Sequence, residues 1–278
     1  MKNSPITQWL ICLLALTGMA AMLHRELRLL PDGNVHVHFL DVGQGDSALL
    51  VSPTGKQIVI DGGPDLAALE AVGSRMPFFD RSIDLLVLSH PNVDHLVALP
   101  SFLRRYRVEK ILLTGIAYDV GRYEELIAAV EDRKPEIIFS DPAKDLDMGD
   151  GLLLDVLWPP KDIESISFKD VNDSSIVLKA MYGKESILFT GDIEEFAEKE
   201  ILATGADLRS TVLKVAHHGG KTSSGTGFLL AVDPRLAIIS VAANNSYGHP
   251  HPSILGRLKA LQIPVQMTKD EGTISLKL

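Results

Sequence analysis

Cysteine is nearly missing from this chain, which has 278 residues and a single one, Cys12. That excludes an intrachain disulfide and any thiolate metal centre, and it leaves the redox compartment undecided. Positive charge is scarce too. Against 36 Asp and Glu stand 27 Lys and Arg, a formal net charge of -9. This balance speaks against the basic face with which proteins grip nucleic acid irrespective of sequence, although a bound cation would alter the local field. There is no P-loop and no dinucleotide fingerprint: Gly43-Gln44-Gly45 lacks the third glycine and runs into a strand rather than a helix. Ser89 and the group Thr222-Ser223-Ser224 have no nucleophile setting beyond nearby histidines, so a serine hydrolase is not indicated. No linker rich in Pro, Gly or Ser and no short-period repeat divides the chain.

What is present begins with an apolar run. Residues 6–23 carry no charge and follow Lys2, the pattern of an export signal or a short membrane anchor. Gly18-Met19-Ala20 offers a loose cleavage point. The expectation is two segments, 1–33 as signal or anchor with a short linker and 34–278 as one folded domain. That domain is expected outside the cytoplasm, exported or held to the membrane by the uncleaved segment. No protein partner is identifiable.

Beyond Asn34 the patterning alternates between periods of two and 3.6. Val35–Leu40, Ser47–Val51, Gln57–Ile60, Lys110–Leu113, Ile137–Phe139, Leu152–Leu157, Ser175–Met181, Ser186–Phe189, Val212–Ala216, Leu236–Val241, Val265–Thr268 and Thr273–Leu278 read as strands. Leu66–Arg75, Leu96–Tyr106, Tyr123–Val130, Glu194–Ala203, Phe228–Val232 and Ser253–Leu261 read as helices. Strand meanders flank strand–helix alternations twice over. The fold class expected is α/β, a four-layer αββα sandwich with two facing sheets and helices outside.

The chemistry concentrates where strands end. Leu85-Leu86-Val87-Leu88 is apolar enough for a strand buried on both faces, and Ser89-His90-Pro91-Asn92-Val93-Asp94-His95 follows at once. Asp61-Gly62-Gly63, Thr190-Gly191-Asp192 and His217-His218-Gly219-Gly220 end other strands, and Tyr247-Gly248-His249-Pro250-His251-Pro252 leads into a helix. Imidazole nitrogen and carboxylate oxygen are ligands that divalent first-row metals accept. Several around one centre would hold a divalent cation with an open position, lowering the pKa of bound water towards ~7. The expected cofactor is such a metal, zinc or manganese, as one or two ions. The earlier loops supply enough ligands, so His249 or His251 is expected at the cleft as an acid–base or charge-stabilising group.

The stretches HFLDVGQGDSALL, IVIDGG, LLVLSHPNVDH, NDSSIVL, ILFTGD, LKVAHHGGKTSS and NNSYGHPHP, in this order, resemble the metallo-β-lactamase-like domain of ComEC-type competence proteins. The resemblance covers Val35 to Leu278 and implies an αββα metal-dependent hydrolase, most directly a phosphodiesterase or nuclease, with DNA among its candidate substrates. By the same resemblance His90, Asn92, Asp94 and His95 stand at the second-motif ligand positions. Asp192 matches an aspartate able to bridge two metals, and His217 or His218 the late histidine ligand. Asp61 matches an aspartate that orients the site from behind. Asp94 and Asp192 are the carboxylates expected to serve catalysis. Asn92 is a neutral, poorer ligand, the two glycines usual after the motif are replaced by Leu96-Val97-Ala98-Leu99, and Gly220 stands where serine is usual. A site of Asp94, His95, Asp192 and His217 is therefore expected to be stronger than one of His90 and Asn92. The alternatives are hydrolysis of a small ester, thioester or lactam, and a binding protein that has lost one metal site.

Overall fold

The alternating and wholly apolar stretches pair as two seven-stranded sheets in the computed structural model, which describes residues 5–118 and 121–278. An apolar helix, α1 (Pro5–Arg28), leads into β1 (His36–Phe39), β2 (Ala48–Val51), β3 (Gln57–Ile60), α2 (Ala67–Arg75) and β4 (Ser82–Val87). Then come α3 (Val93–Leu96), α4 (Leu99–Arg105), β5 (Arg107–Leu113), α5 (Gly121–Arg133) and β6 (Glu136–Phe139). The second half runs β7 (Leu146–Asp147), β8 (Leu152–Trp158), β9 (Val177–Tyr182), β10 (Glu185–Phe189), α6 (Glu195–Thr204), β11 (Val212–Lys214) and α7 (Thr226–Val232). It closes with β12 (Leu236–Ile239), α8 (Pro252–Ala260), β13 (Val265–Met267), α9 (Thr268–Glu271) and β14 (Ile274–Lys277). Lys2, ahead of the apolar run, lies outside the described residues.

One sheet has the order β14-β1-β2-β3-β4-β5-β6 and the other β13-β12-β11-β10-β9-β8-β7. Each contains three antiparallel pairings followed by three parallel ones. The expected αββα sandwich is what forms. Successive side chains of a strand point to opposite faces. Thus Ile58 and Ile60 face the layer between the sheets, while Val59 faces the helices α2, α4 and α5. In the second sheet Ile187 and Phe189 face inward, and Leu188 packs under α6, α7 and α8. Both faces are covered, which is why these strands read as apolar runs. Each such Leu, Ile or Phe contributes about 1.5–3 kcal/mol relative to exposure.

Three local departures from the expected elements matter for the site. The single helix expected over 96–106 is two: α3 starts at Val93, and Pro100, without an N–H, opens α4 instead of extending the first helix. The strand expected over 212–216 ends at Lys214 and gives way to a tight turn, Ala216–Gly219. A two-residue strand, β7, and the short α9 were too small to carry a periodic signal.

Candidate metal centre

The parallel strands end at one edge of the sandwich, and the loops there carry the site, the usual place for chemistry in open α/β sheets. Asp61 follows β3 with a left-handed backbone (φ 61°). Its Oδ1 accepts the Ser89 N–H (2.7 Å), and its Oδ2 accepts the Ser89 hydroxyl (2.7 Å) and the His95 Nδ1–H (2.9 Å). The proton on Nδ1 leaves His95 Nε2 as a lone pair pointing the other way. His218 is set in the same manner: its Nδ1–H donates to the Ser240 carbonyl (2.9 Å), freeing Nε2.

These two nitrogens face two carboxylates. His95 Nε2 lies 3.3 Å from Asp192 Oδ2 and 4.0 Å from Asp94 Oδ2; His218 Nε2 lies 3.4 and 3.2 Å from the same atoms. One donor atom from each of Asp94, His95, Asp192 and His218 lies within 4.8 Å of the other three. Donors about 2.1 Å from a shared tetrahedral centre are about 3.4 Å apart, so the set fits a divalent cation. His95 Nε2 and Asp192 Oδ1 are buried without a hydrogen-bond partner. His95, Asp192 and His218 are buried, whereas the Asp94 side chain is 34% exposed and marks the open side.

Two glycines permit this convergence. A Cβ on Gly191 would sit 2.6 Å from Ser175 Cβ, and Ser175 Oγ accepts the Asp192 N–H (3.0 Å). A Cβ on Gly45 would sit 2.3 Å from the Asp94 carbonyl oxygen, which accepts the Asp46 N–H (3.2 Å). The Gly43–Asp46 turn is therefore packed on α3.

That turn also delivers Asp46, which in the sequence reads only as part of a glycine turn. Asp46 is buried, pairs with Lys214, and lies 3.4 Å from His218 Nδ1. Lys214 occupies an inward position of β11, donates to the Gly191 carbonyl (3.1 Å) and lies 3.7 Å from Asp192 Oδ1. The sequence signal for it was a lysine inside an apolar strand. Asp46, Asp61, Asp94 and Asp192 against Lys214, with neutral imidazoles, sum to -4 + 1 = -3. A divalent cation brings that to -1, relieving most of the uncompensated charge.

The protonation states respond to this crowding. Burial pulls the His218 imidazole down, but the Asp192 and Asp46 carboxylates outweigh it and push it up to about 10. His95 is raised in the same way, against burial, by Asp192, Asp61 and Asp94. Burial pushes the Asp192 carboxyl up, yet His218, His95 and Lys214 hold it well below the usual carboxylate range. Proton and cation thus compete for the same nitrogens.

The remaining residues expected at the site are placed as follows. His90 is buried at 4.2 Å ring to ring from His95, with Nδ1 3.1 Å from Ser89 Oγ and Nε2 unpartnered. Burial, then His95, pulls it down to about 3. It is not among the four converging donors. The Asn92 amide donates to Asn172 Oδ1 (2.6 Å), and its Oδ1 faces the Tyr118 hydroxyl at 3.4 Å. The structure brings His218, not His217, into the four-donor group. His217 Nδ1 instead donates to Glu194 Oε1 (3.0 Å), which also accepts the Thr222 hydroxyl (2.6 Å). Asn172 and Glu194 were not picked out as site residues from sequence. His249 lies beside this pair, 5.2 Å ring to ring from His217, its loop pinned by Asn245. Burial and the neighbouring His217 and His218 lower it to about 4. His251 Nδ1 accepts the Ser253 N–H (3.2 Å) and caps α8.

An αββα sandwich with carboxylates and imidazoles converging on one strand-end edge defines a class, and residues 40–243 match the family model of the metallo-β-lactamase superfamily. The chain belongs to that superfamily, whose members are generally metal-dependent hydrolases. Its relatives include ComE operon protein 3 of Bacillus subtilis (strain 168), 29% identical over 87% of this chain and 33% of that protein. Competence protein ComA of Neisseria gonorrhoeae is 30% identical over 89% of this chain and 33% of its own length. The chain therefore spans about a third of these relatives. Among solved structures, the metallo-β-lactamase fold protein YhfI from Bacillus subtilis superposes with a TM-score of 0.58, at 12% identity, over 87% of this chain and 99% of that one.

Proposed function

We propose that this protein is a metal-dependent phosphodiesterase of ComEC type, with DNA as its candidate polymer substrate. The observation that carries the hydrolase reading is the four-donor group Asp94, His95, Asp192 and His218, closed by protein on three members and open at Asp94. The choice of phosphodiester over other esters rests on the competence-protein relatives. When bound there, a divalent ion, zinc or manganese, supplies a Lewis acid and a water nucleophile active near neutral pH.

The chain's own groups do the rest. Asp61 and the Ser240 carbonyl fix the tautomers of His95 and His218, so both present a lone pair without rearrangement. Lys214 holds Asp46 and Asp192 in place and neutralises one of them. The Asn92 amide is committed to Asn172 Oδ1 where further ligands would be needed for a second ion, so the site is read as mononuclear, with His90 beside it. His217, backed by Glu194, and His249 stand at the mouth, half-buried, placed to hydrogen-bond a phosphate or its leaving oxygen. His251 keeps α8 capped through Nδ1 and so holds the loop that carries His249. Residues 1–33 serve as an anchor and linker, and 34–278 as the catalytic domain outside the cytoplasm.

The test is metal content by elemental analysis on protein purified without chelator, alongside hydrolysis of bis-p-nitrophenyl phosphate, nitrocefin and a thioester. About one ion per chain with phosphodiester turnover supports the proposal. Metal with nitrocefin or thioester turnover alone redirects it to small-molecule hydrolysis. Less than a tenth of an ion per chain after metal addition removes the enzyme reading.

A further inference from the structure

The turn after α2 carries two adjacent aromatic side chains in water, Phe78 (59% exposed) and Phe79 (61%). Two exposed phenylalanines on a turn are unusual for a folded surface unless something covers them. They face the last turns of α1. Between the two lies a groove of about 340 Å³, walled by Met19, Met22, Leu23, Leu27, Phe78 and Phe79.

The end of α1 is tied to the domain by hydrogen bonds. Glu26 on α1 is buried, and its carboxylate accepts the Phe78 N–H (2.8 Å). Arg25 pairs with Glu26 and donates to the Ser74 carbonyl (2.7 Å) at the end of α2. Glu26 also lines the groove, with its charge satisfied there by Arg25 and the Phe78 N–H. The helix does not swing free of the domain; its last turns are part of it.

Which partner covers this surface follows from the helix. Ile6, Trp9, Leu10, Ile11, Leu13 and Leu14 are all more than half exposed, and six such residues within nine positions leave no polar stripe. A second protein chain would cover one face; only a bilayer covers every face at once. From Ile6 to Leu23 the helix has 18 uncharged residues, about 27 Å of rise, against a hydrocarbon core of about 30 Å. A span slightly short of the core draws the membrane boundary down to its flanks. Those flanks are the turns of Met22 to Leu27, level with the groove and the two phenylalanines. Arg25 and Arg28 stand at that same end, where basic side chains meet headgroups.

We infer that the Phe78–Phe79 turn is a second membrane contact, seated in the lipid interface beside α1, so that the domain is clamped to the bilayer in one orientation. This rests on α1 being a retained span, and the test separates the two. In the full chain with Cys12→Ala, single cysteines replace Leu13, Phe79 or Leu230, and each is labelled with an environment-sensitive fluorophore. Leu230, 61% exposed on α7 across the sandwich, is the control. The variants are reconstituted in phosphatidylcholine–phosphatidylglycerol vesicles containing lipids spin-labelled shallowly or deeply. The label at 79 is expected to be quenched at least twofold more than that at 230, and most by the shallow spin label, with 13 quenched by the deep one. If 13 is quenched while 79 matches 230, the turn lies in water and the inference fails, although the span stands. If 13 is not quenched, span and clamp fail together. A blue shift at 79 that needs no lipid and grows with protein concentration identifies a second copy as the partner and overturns the inference.

Discussion

Asp192 and Asn92 differ in what they can give a cation. Asp192 is buried, held ionised by His218, His95 and Lys214, and within 3.4 Å of two free imidazole nitrogens. Asn92 is neutral, and its amide is already bonded to Asn172. Asp192→Ala is therefore expected to lose at least tenfold in metal affinity and most turnover, and Asn92→Ala less than threefold in affinity. Isothermal titration with zinc and manganese, with parallel rates, checks this; equal losses would sink the assignment. The two neighbouring histidines should separate as clearly. His218→Ala removes a converging donor and should strip the ion. His217→Ala leaves the four donors in place and should keep the ion while turnover falls about 10²-fold or more, as for loss of a positioned proton-transfer or charge-stabilising group. Sequence could not tell these two apart, because adjacent residues of a strand point to opposite faces. The decision is made by the turn, where both take left-handed backbone (φ 51° and 52°), a conformation that side chains with a Cβ rarely adopt. Lys214 stands out in the sequence as a lysine inside an apolar strand, but its pairing does not. Its partners Asp46 and Asp192 lie 168 and 22 residues away in sequence, and nothing local announces the pairing.

Among elements, the strands were legible where both faces are apolar, as in the Ile58–Ile60 and Ile187–Phe189 cores of β3 and β10. Boundaries set by one residue's backbone were not: Pro100 splits the helix after the metal loop, and the turn after Lys214 cuts β11 short. The closing strand β14 returns from the far end of the chain and docks on β1, with His36 opposite Lys277. There His38 Nδ1 pairs with Ser275 Oγ at 2.8 Å. Burial, then the positive Arg75 and the adjacent His36, lower His38 from 6.5 to about 4. The sign follows from proton counting. Between about pH 6.5 and pH 4 the unfolded chain binds a proton at this residue and the folded chain does not, so stability rises with pH across that window. The contribution is complete above about pH 6.5 and lost progressively as pH falls towards 4, worth about 1–3 kcal/mol with allowance for partial exposure. Urea unfolding of wild type and His38→Gln at about pH 7 and about pH 4.5, on either side of most of that window, measures it. The variant should lose less stability on acidification by that amount, and parallel losses would place the acid lability elsewhere.

At the scale of the whole molecule, the two sheets repeat one plan, three antiparallel pairings and then three parallel, and each contributes half of the donor group. Asp94 and His95 follow β4 of the first sheet; Asp192 and His218 follow β10 and β11 of the second. The fold was readable because this alternation repeats over long stretches. The site was readable as a set of loops but not as a geometry, because its members come from opposite sheets. An ion held by both should act as a staple across the open edge of the sandwich, adding to the few hydrogen bonds that cross there, such as Ile176 N–H to the Ser89 carbonyl and Asn92 to Asn172. A ligand that binds the native state alone stabilises it by RT ln(1 + [L]/Kd), about 4 kcal/mol at a thousandfold excess over Kd. For a domain of this size each kcal/mol moves the midpoint by about 2–4 °C, so chelation should lower Tm by roughly 8–16 °C. Readdition of zinc or manganese should restore it. Asp192→Ala should show a Tm little raised by metal, since the second sheet then holds the ion through His218 alone. Lys214→Met should lower stability even in the presence of metal, by about 3–5 kcal/mol, because Asp46 is then buried without a counter-charge. Calorimetry on wild type with and without the ion, and on the two variants, separates the staple from the salt bridge. A Tm indifferent to chelator in the wild type, on protein shown by elemental analysis to carry the ion beforehand, would mean that the sheets are fixed to each other by the apolar layer alone.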